Sequence, residues 1–466
     1  MKLFCFIFLQ ITSINSQLNE LITNFLEKPS AQNINVSMSI RDIESKNEVY
    51  AYQSKMALPP ASTLKLLTTG TSIDILGPNF EFKTLIVTNG NIQNGILNGD
   101  LLIIPEGDPS FGSQRFNLNP TEQIVTFLKD KGIRTINGKI TIIGKDERIV
   151  PNEWLVSDIG NYYGAFPRQF NFGENFYTVY FKGGDQIGDA SEINKIVPLS
   201  SNWKIRNNVR TGESGSGDQV NIINMAPSDE ISLEGTVPLK SNNFGVKGSI
   251  PEPKSVFLDI LKNELSGNSI NVLENVISEP LGNDTIGIIF SPSLEEISQH
   301  CNYQSVNFFA DGMANYIFTK LKEPKESFGD FMKRYWKAKG LNLDNFNLYD
   351  GSGLSTMNTI STQTMTDFLS IMVKSKYFES FSETIAVVGK SGTVRSLDPK
   401  GLTRGKVAAK SGSISGTRNY AGYFKGQDDK KYAFCVFVNG INDTAKLFSR
   451  ELLQNLIFKM IDLNQL

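Results

Sequence analysis

The sequence Ser62-Thr63-Leu64-Lys65 sets a hydroxyl and an amine three positions apart at the opening of a helix-like run. On a helix that spacing puts both groups on one face, within reach of each other. A lysine shielded from water, with another cation close by, loses proton affinity and can accept the serine proton. Serine and lysine then form a nucleophile with its own base. The helix N-terminus adds backbone N–H groups and a positive dipole end where an oxyanion would develop. Ser201-Asn202-Trp203-Lys204 repeats the pattern in an asparagine-rich stretch with no helix start, and is read as accidental. Ser62 instead follows the break at Pro59-Pro60 and opens an apolar helix.

Two further groups extend this chemistry. Ser305-Val306-Asn307 precedes a helical run beginning at Phe308. Its hydroxyl can relay a proton to a leaving amine, and its amide can hold a peptide group of the substrate. Ser241, Ser266 and Ser269 start the same short pattern, but Ser305 has the helical neighbourhood and the place in chain order. Lys410-Ser411-Gly412 leads through Ser413 towards a strand expected at 419–424. An extended edge there can take a peptide by strand addition, Lys410 and Ser411 attracting its terminal carboxylate and Gly412 admitting its backbone. The N–H of Ser413 can join that of Ser62 in an oxyanion hole, where one donor is worth roughly 2.7–4 kcal/mol. Lys390-Ser391-Gly392 is a second copy, set aside because no hairpin strand follows it directly.

Composition removes the competing chemistries. The one histidine, His300, sits among polar residues without a nucleophile-elbow motif, so a Ser-His-Asp triad has nothing to build on. With three cysteines and one histidine, a multi-ligand zinc site is not expected. A formal charge of −2 gives no basic face for nucleic acid.

Residues 1–16 carry Lys2, an apolar run at 3–9 and then small and polar residues, the layout of a secretory signal cleaved near Ser16-Gln17. The apolar run is far below the roughly 20 residues of a spanning helix, so no stable membrane span is expected after cleavage. Cys5 lacks a lipoprotein-like context. Cys301 and Cys435 are read as two buried thiols, with a disulfide between them allowed.

The elements that must position these groups follow from periodicity. Alternation predicts a hairpin over 35–52, with Val36, Met38 and Ile40 on one face, then a helix over 62–76 stopped by Gly77-Pro78. From 80 to 279 the texture turns to short β-like runs, such as 82–87, 101–104, 139–143 and 177–181. Helical patterning returns at 294–321, 328–339 and 361–374, followed by a hairpin of 419–424 with 431–438 and a final helix over 443–461. The expected organisation is a signal at 1–16, an α/β domain from 17–79 and 280–466, and an inserted β-rich region at 80–279 made of two sub-domains.

The ordered set S-x-x-K, S-x-N and K-[ST]-G resembles the signature of penicillin-binding proteins and serine β-lactamases. The long gap between Ser62 and Ser305 is similar to that of class C penicillin-binding proteins, the D-Ala-D-Ala carboxypeptidase/endopeptidase family of the type-4 kind. Further segments resemble that family: 99–109, Trp154 with Tyr163-Gly164-Ala165, 350–355, and Gly392-Thr393 ahead of Ala409-Lys410.

The resemblance implies a penicillin-recognising, transpeptidase-like (β-lactamase-like) α/β domain with an antiparallel sheet and helices, interrupted by two small domains. It implies a periplasmic enzyme whose serine is acylated by a peptidoglycan stem peptide ending in D-Ala-D-Ala. Water then releases the product, with DD-endopeptidase action expected beside carboxypeptidase action and β-lactams as covalent inhibitors. In these terms Ser62 is the nucleophile, Lys65 the base, Ser305 and Asn307 the relay and orienting pair, and Lys410 the carboxylate and field-setting cation, with Ser411, Gly412 and Ser413 binding substrate and no metal or organic cofactor taking part.

The chain departs from the family pattern at Ser411, where threonine is commoner, at Val306, and at Thr356, where many relatives have arginine. Trp154 and Asp158 are candidates for reading the stem-peptide side chain, beside plainer readings as a core aromatic and a turn residue. Rival readings stay open at this stage: a β-lactamase or esterase using the same Ser-Lys pair, or a wall-binding protein without catalysis. Against a class A β-lactamase, no E-x-x-x-N lies between the second and third motifs.

Overall fold

The computed structural model describes residues 2–145, 150–200, 202–224, 230–275, 282–343, 346–403 and 405–462, with backbone alone for 2–13. The chain forms two compact units, Met1–Phe80 with Ser293–Leu466, and Glu81–Pro292.

The first unit is built on five antiparallel strands: β1 (Asn35–Asp42), β2 (Glu48–Tyr52), β3 (Val407–Ile414), β4 (Thr417–Lys425) and β5 (Lys431–Asn439). Their spatial order is β3-β4-β5-β1-β2, so β3 is an edge. Among the helices that accompany them are α1 (Lys2–Leu26), α2 (Leu64–Leu76), α3 (Leu294–Gln304), α4 (Asn307–Leu321), α5 (Thr362–Met372) and α6 (Lys446–Met460).

Alternation along β1 decides which helices cover which face. Val36, Met38 and Ile40 join a core with Ile14, Leu18, Ile22 and Phe25 of α1 and Leu453, Leu456 and Ile457 of α6. Ser37 and Ser39 point the other way, their hydroxyls 2.8 and 2.9 Å from those of Thr362 and Thr366 on α5. Pairing hydroxyl with hydroxyl satisfies groups that burial would otherwise leave without water.

Helix α2 is buried on every side from Leu64 to Ile73, as suits a helix at the centre of a domain. Its hydroxyls stay satisfied by turning back on the helix, Thr69 to the Lys65 carbonyl at 2.8 Å, Thr71 to Leu67 at 2.6 Å and Ser72 to Thr68 at 2.9 Å.

Two elements differ from the periodicity. The helix expected over 294–321 is two helices, because Ser305 adopts the left-handed conformation with φ 59° and ends α3. Lys410-Ser411-Gly412 leads to the strand expected at 419–424, which is β4, but itself also lies inside a strand, β3. The Ala-Ala-Lys-Ser-Gly-Ser run carries few β-branched or aromatic residues, so strand propensity is silent there.

In the second unit, Lys83–Gln93 and Ile96–Pro105 lie inside a mixed sheet of which Asp284–Phe290 is an edge, with the helices Pro120–Asp130 and Pro253–Gly267 beside it. Ile86, Leu101, Ile103, Phe257 and Leu261 share its core. Two three-stranded sheets enclose a second core of Tyr177, Val179, Phe181, Ile231 and Leu233. Both helices open with proline in the first turn, a residue that punctuates a strand pattern yet suits a helix start. Asp284–Phe290, expected at the head of the returning segment, pairs with Lys83–Gln93 in this unit. The expected boundary at 279/280 lies outside the described residues. In the first unit, the Leu294 N–H donates to the Phe80 carbonyl at 2.8 Å and that of Glu295 to Pro78 at 3.0 Å.

Candidate active site

Ser62 sits in the 3₁₀ turn Ala61–Thr63 that feeds α2. The turn is held from several sides. Asn419 and Asn439 both donate to the Pro59 carbonyl, at 2.9 and 3.2 Å, and the Thr63 hydroxyl donates to Pro60 at 2.7 Å. Ala61 takes φ 47°, a conformation that costs a non-glycine residue free energy and needs its surroundings to impose it.

Two glycines let those surroundings close in. A Cβ at Gly353, itself at φ +80°, would lie 2.0 Å from the Ala61 oxygen. One at Gly412 would lie 2.7 Å from the Pro60 oxygen and 3.0 Å from the Thr63 nitrogen. The room expected at Gly412 for a substrate backbone is thus used in part by the protein's own turn.

Lys65, one helical turn on, has no exposed surface. Its Nζ stands 2.9 Å from Ser62 Oγ, 2.7 Å from Asn307 Oδ1 and 2.6 Å from the Ser352 carbonyl. The last two are acceptors only, so a neutral amine can give them its two hydrogens and keep its lone pair for the Ser62 hydroxyl. Burial pulls the amine below the usual lysine range, opposed by the charges of Cys301, Asp311 and Asp350.

Lys410 is 1% exposed. Its Nζ donates to Ser305 Oγ at 2.9 Å and to the Ser411 carbonyl at 2.6 Å. Burial, then the nearby Lys65, hold it well below the ordinary value. The break at Ser305 is what aims that hydroxyl away from the helix line and towards Lys410, while Asn307, at the start of α4, reaches Lys65.

Ser62, Ser305, Ser411, Gly412 and Ser413 line one cleft of about 310 Å³, together with Thr393, Arg418 and Tyr420. Lys65, Asn307 and Lys410 touch its wall through the bonds above. All eight residues proposed from the motifs therefore meet at one place. Motif reasoning did not assign Thr393, whose Oγ1 is 2.7 Å from Ser411 Oγ, although Gly392-Thr393 was among the family-like segments.

Motif reasoning also missed Asp311, four residues after Asn307 and buried. Its carboxyl is pushed up to about 8, by burial first and then by repulsion from Asp350. Asp311 Oδ1 accepts the Gly351 N–H at 2.9 Å. Asp350 accepts the N–H groups of Gly353 and Ser355, each at 2.7 Å, and so bends the loop that presents the Ser352 carbonyl to Lys65. The helical spacing of Asn307 and Asp311 was the available signal.

The alternatives fall elsewhere. Ser201 lies outside the described residues. Lys390 is exposed, and the Ser391 hydroxyl accepts the Val387 N–H at 2.9 Å. His300 Nδ1 is 3.3 Å from Gln304 Nε2 on α3. Trp154 is a core aromatic of the second unit, 5% exposed and edge-on to Phe166. Cys301 and Cys435 are both free and buried. Among the described residues there is no cluster of ligands fit for a metal ion.

Known proteins with the same features are distant in sequence but match over nearly the whole chain. It is 24% identical over 422 residues to the D-alanyl-D-alanine carboxypeptidase DacB of Haemophilus influenzae, covering 87% of this chain and 85% of that one. Identity to the D-alanyl-D-alanine carboxypeptidase of Actinomadura sp. strain R39 is 22% over 466 residues, 93% of this chain and 82% of that one. The crystal structure of penicillin binding protein 4 (dacB) from Haemophilus influenzae superposes with a TM-score of 0.77 at 22% identity, over 96% of this chain and 99% of the other. A second structure of that protein, complexed with a β-lactam, covers 95% of this chain and 97% of the other at 22% identity with a TM-score of 0.73. The penicillin-recognising α/β fold implied by the motifs is therefore the fold found. A family description matches residues 18–456, and with it the chain belongs to the D-Ala-D-Ala carboxypeptidase 3 (S13) family of peptidases.

Proposed function

We propose that the protein is a serine D-Ala-D-Ala carboxypeptidase of peptidoglycan stem peptides, with DD-endopeptidase action on cross-links, and that Ser62 is its nucleophile. The Ser62 proton passes to Lys65 Nζ as Oγ bonds the scissile carbonyl carbon. The N–H groups of Ser62 and Ser413 receive the oxyanion. As the C–N bond breaks, the leaving D-Ala amine takes a proton through Ser305, which Lys410 holds, and water then cleaves the acyl ester. Asn307 fixes the Lys65 amine. Ser411 and Gly412 bind the substrate along the edge strand β3.

The observation that carries this reading is the wholly buried Lys65 amine 2.9 Å from Ser62 Oγ, with its other neighbours able to take only hydrogens. The β-lactam complex of the Haemophilus relative supports the same serine chemistry on a β-lactam ring.

Export belongs to this reading. We infer a signal cleaved near residue 16 and a periplasmic protein. The family match opens at residue 18. No helix among the described residues is long and apolar enough to cross a membrane.

Digestion of purified cross-linked and uncross-linked muropeptides, followed by mass spectrometry, tests the activity. Loss of one D-Ala and opening of cross-links are expected from the native protein and neither from Ser62→Ala. Fluorescent penicillin should label the native protein alone. A label that persists in Ser62→Ala, or rapid turnover of penicillin, would overturn the assignment.

A further inference from the structure

The second unit has a cleft of its own, which the Ser-Lys chemistry leaves unused. It holds about 500 Å³, and all its lining residues fall between Gly112 and Ile260. Phe172, in its wall, packs against both hydrophobic cores of the unit, so the cleft opens where they meet. Ligand sites favour such junctions and range over about 300–1,000 Å³.

One wall is the outer face of a sheet. Along the strand Phe176–Lys182, Tyr177, Val179 and Phe181 enter the core, while Phe176, Thr178 and Tyr180 line the cleft. Two aromatic rings on that outer face leave apolar surface that the core does not use. Lys247 and Val197 flank Thr178, each paired with it from a neighbouring strand. The Lys247 Nζ lies 4.7 Å from the centre of the Phe176 ring, an attraction that keeps the ammonium at the wall.

Another part of the wall is a tight turn in which Glu174 takes φ 57°. Its Oε1 accepts the Ser113 hydroxyl at 2.7 Å and Arg115 Nε at 2.9 Å, so the Arg115 charge is matched within the protein. Lys247 is exposed and belongs to none of the ion pairs found among the described residues. The cleft thus sets an unmatched cation beside aromatic rings, with the Gln114 amide and the Thr178 hydroxyl in the same lining.

That combination suits a ligand with an apolar face, several polar groups and an anion. An amino-sugar ring packs its C–H face on an aromatic ring and offers acetamido and hydroxyl groups to amides and hydroxyls, and a peptide carried on the sugar supplies carboxylates. We propose that this cleft binds peptidoglycan, with a sugar of the glycan against Phe176 and Tyr180 and a stem-peptide carboxylate at Lys247. This rests on the peptidase reading above. It gives the second unit the task of holding the polymer on which the first unit acts.

The test uses the full chain acylated with penicillin, so that the Ser62 cleft is filled. Calorimetric titration with a purified disaccharide-tetrapeptide, with its disaccharide alone and with its tetrapeptide alone separates the sugar contact from the charge contact. The conjugate should bind more tightly than either part. Lys247 is exposed, so Lys247→Gln should fold as the native protein does, and it should weaken the conjugate about 10-fold, the scale of one charge-assisted hydrogen bond. Lys247→Arg should recover part of that loss. Tyr180→Ala should weaken the conjugate and the disaccharide by about 3- to 10-fold. If the acylated native protein binds none of the three, if Lys247→Gln binds the conjugate as the native protein does, or if the tetrapeptide alone binds as tightly as the conjugate, this assignment falls and the peptidase reading stands. A protein that takes no penicillin overturns the peptidase reading, and the affinities of native protein and Lys247→Gln for the conjugate then decide the cleft by themselves.

Discussion

Asn307 Oδ1 receives a hydrogen bond from Lys65 Nζ at 2.7 Å, and the acceptor is a neutral amide at a place where a carboxylate would fit. A carboxylate there would hold the lysine proton by direct attraction. An amide accepts one hydrogen and leaves the amine free to lose another.

Asn307→Asp should therefore raise the proton affinity of Lys65. The rate of acylation by penicillin, plotted against pH, should keep its shape but move its acidic limb to higher pH. Asn307→Leu leaves a buried N–H without a partner and should cost about 1–3 kcal/mol of stability, read from denaturant unfolding.

Asp311→Asn should move that limb the other way. The Asp311 charge raises the Lys65 affinity for its proton, so its removal lets the amine stay neutral at lower pH. Asparagine keeps an oxygen for the Gly351 N–H. The stability effect has its own sign. A carboxyl raised from 3.8 to about 8 binds more protons folded than unfolded between those values, so the native protein loses stability as pH rises through that window. Urea unfolding of native protein and variant at several pH values should show a slope in the first that is weaker in the second.

Lys410→Met removes one of two buried amines that repel each other. Repulsion is mutual, so Lys65 should hold its proton to higher pH in the variant. Loss of the Ser305 contact should also slow acylation by about 10²–10⁴-fold, the usual scale for a proton-transfer group. Stopped-flow acylation across pH separates the two effects.

Gly353→Ala should lower stability by about 1–3 kcal/mol, through a strained positive φ and a clash with the Ala61 carbonyl. Because the displaced residue adjoins Ser62, penicillin labelling should fall further than stability alone explains. Melting temperature and labelling, measured on one preparation below its transition, check this.

Much of the site was legible because its chemistry is concentrated in short motifs with a fixed chain order. Ser62, Lys65 and Lys410 need no knowledge of the fold to be suspected. The strand around Lys410 was hidden by its alanines, serines and glycine, whose pairing depends on β4 more than on local preference. The break at Ser305 was hidden for a different reason. Nothing in the hydrophobic period marks a single residue that turns left-handed, although that turn brings Ser305 to Lys410. Asp311 belongs to no motif, and its meaning appears only when α4 meets the 350–355 loop.

The hydrogen bond between Leu294 and Phe80 marks a seam at which the first unit meets itself. Joining those two ends with a few residues would shorten the loop that folding must close, and the chain-entropy cost of closing it changes only slowly with its length. Genes can therefore trade, trim or enlarge what hangs from this junction while the reading frame of the hydrolytic half is kept intact.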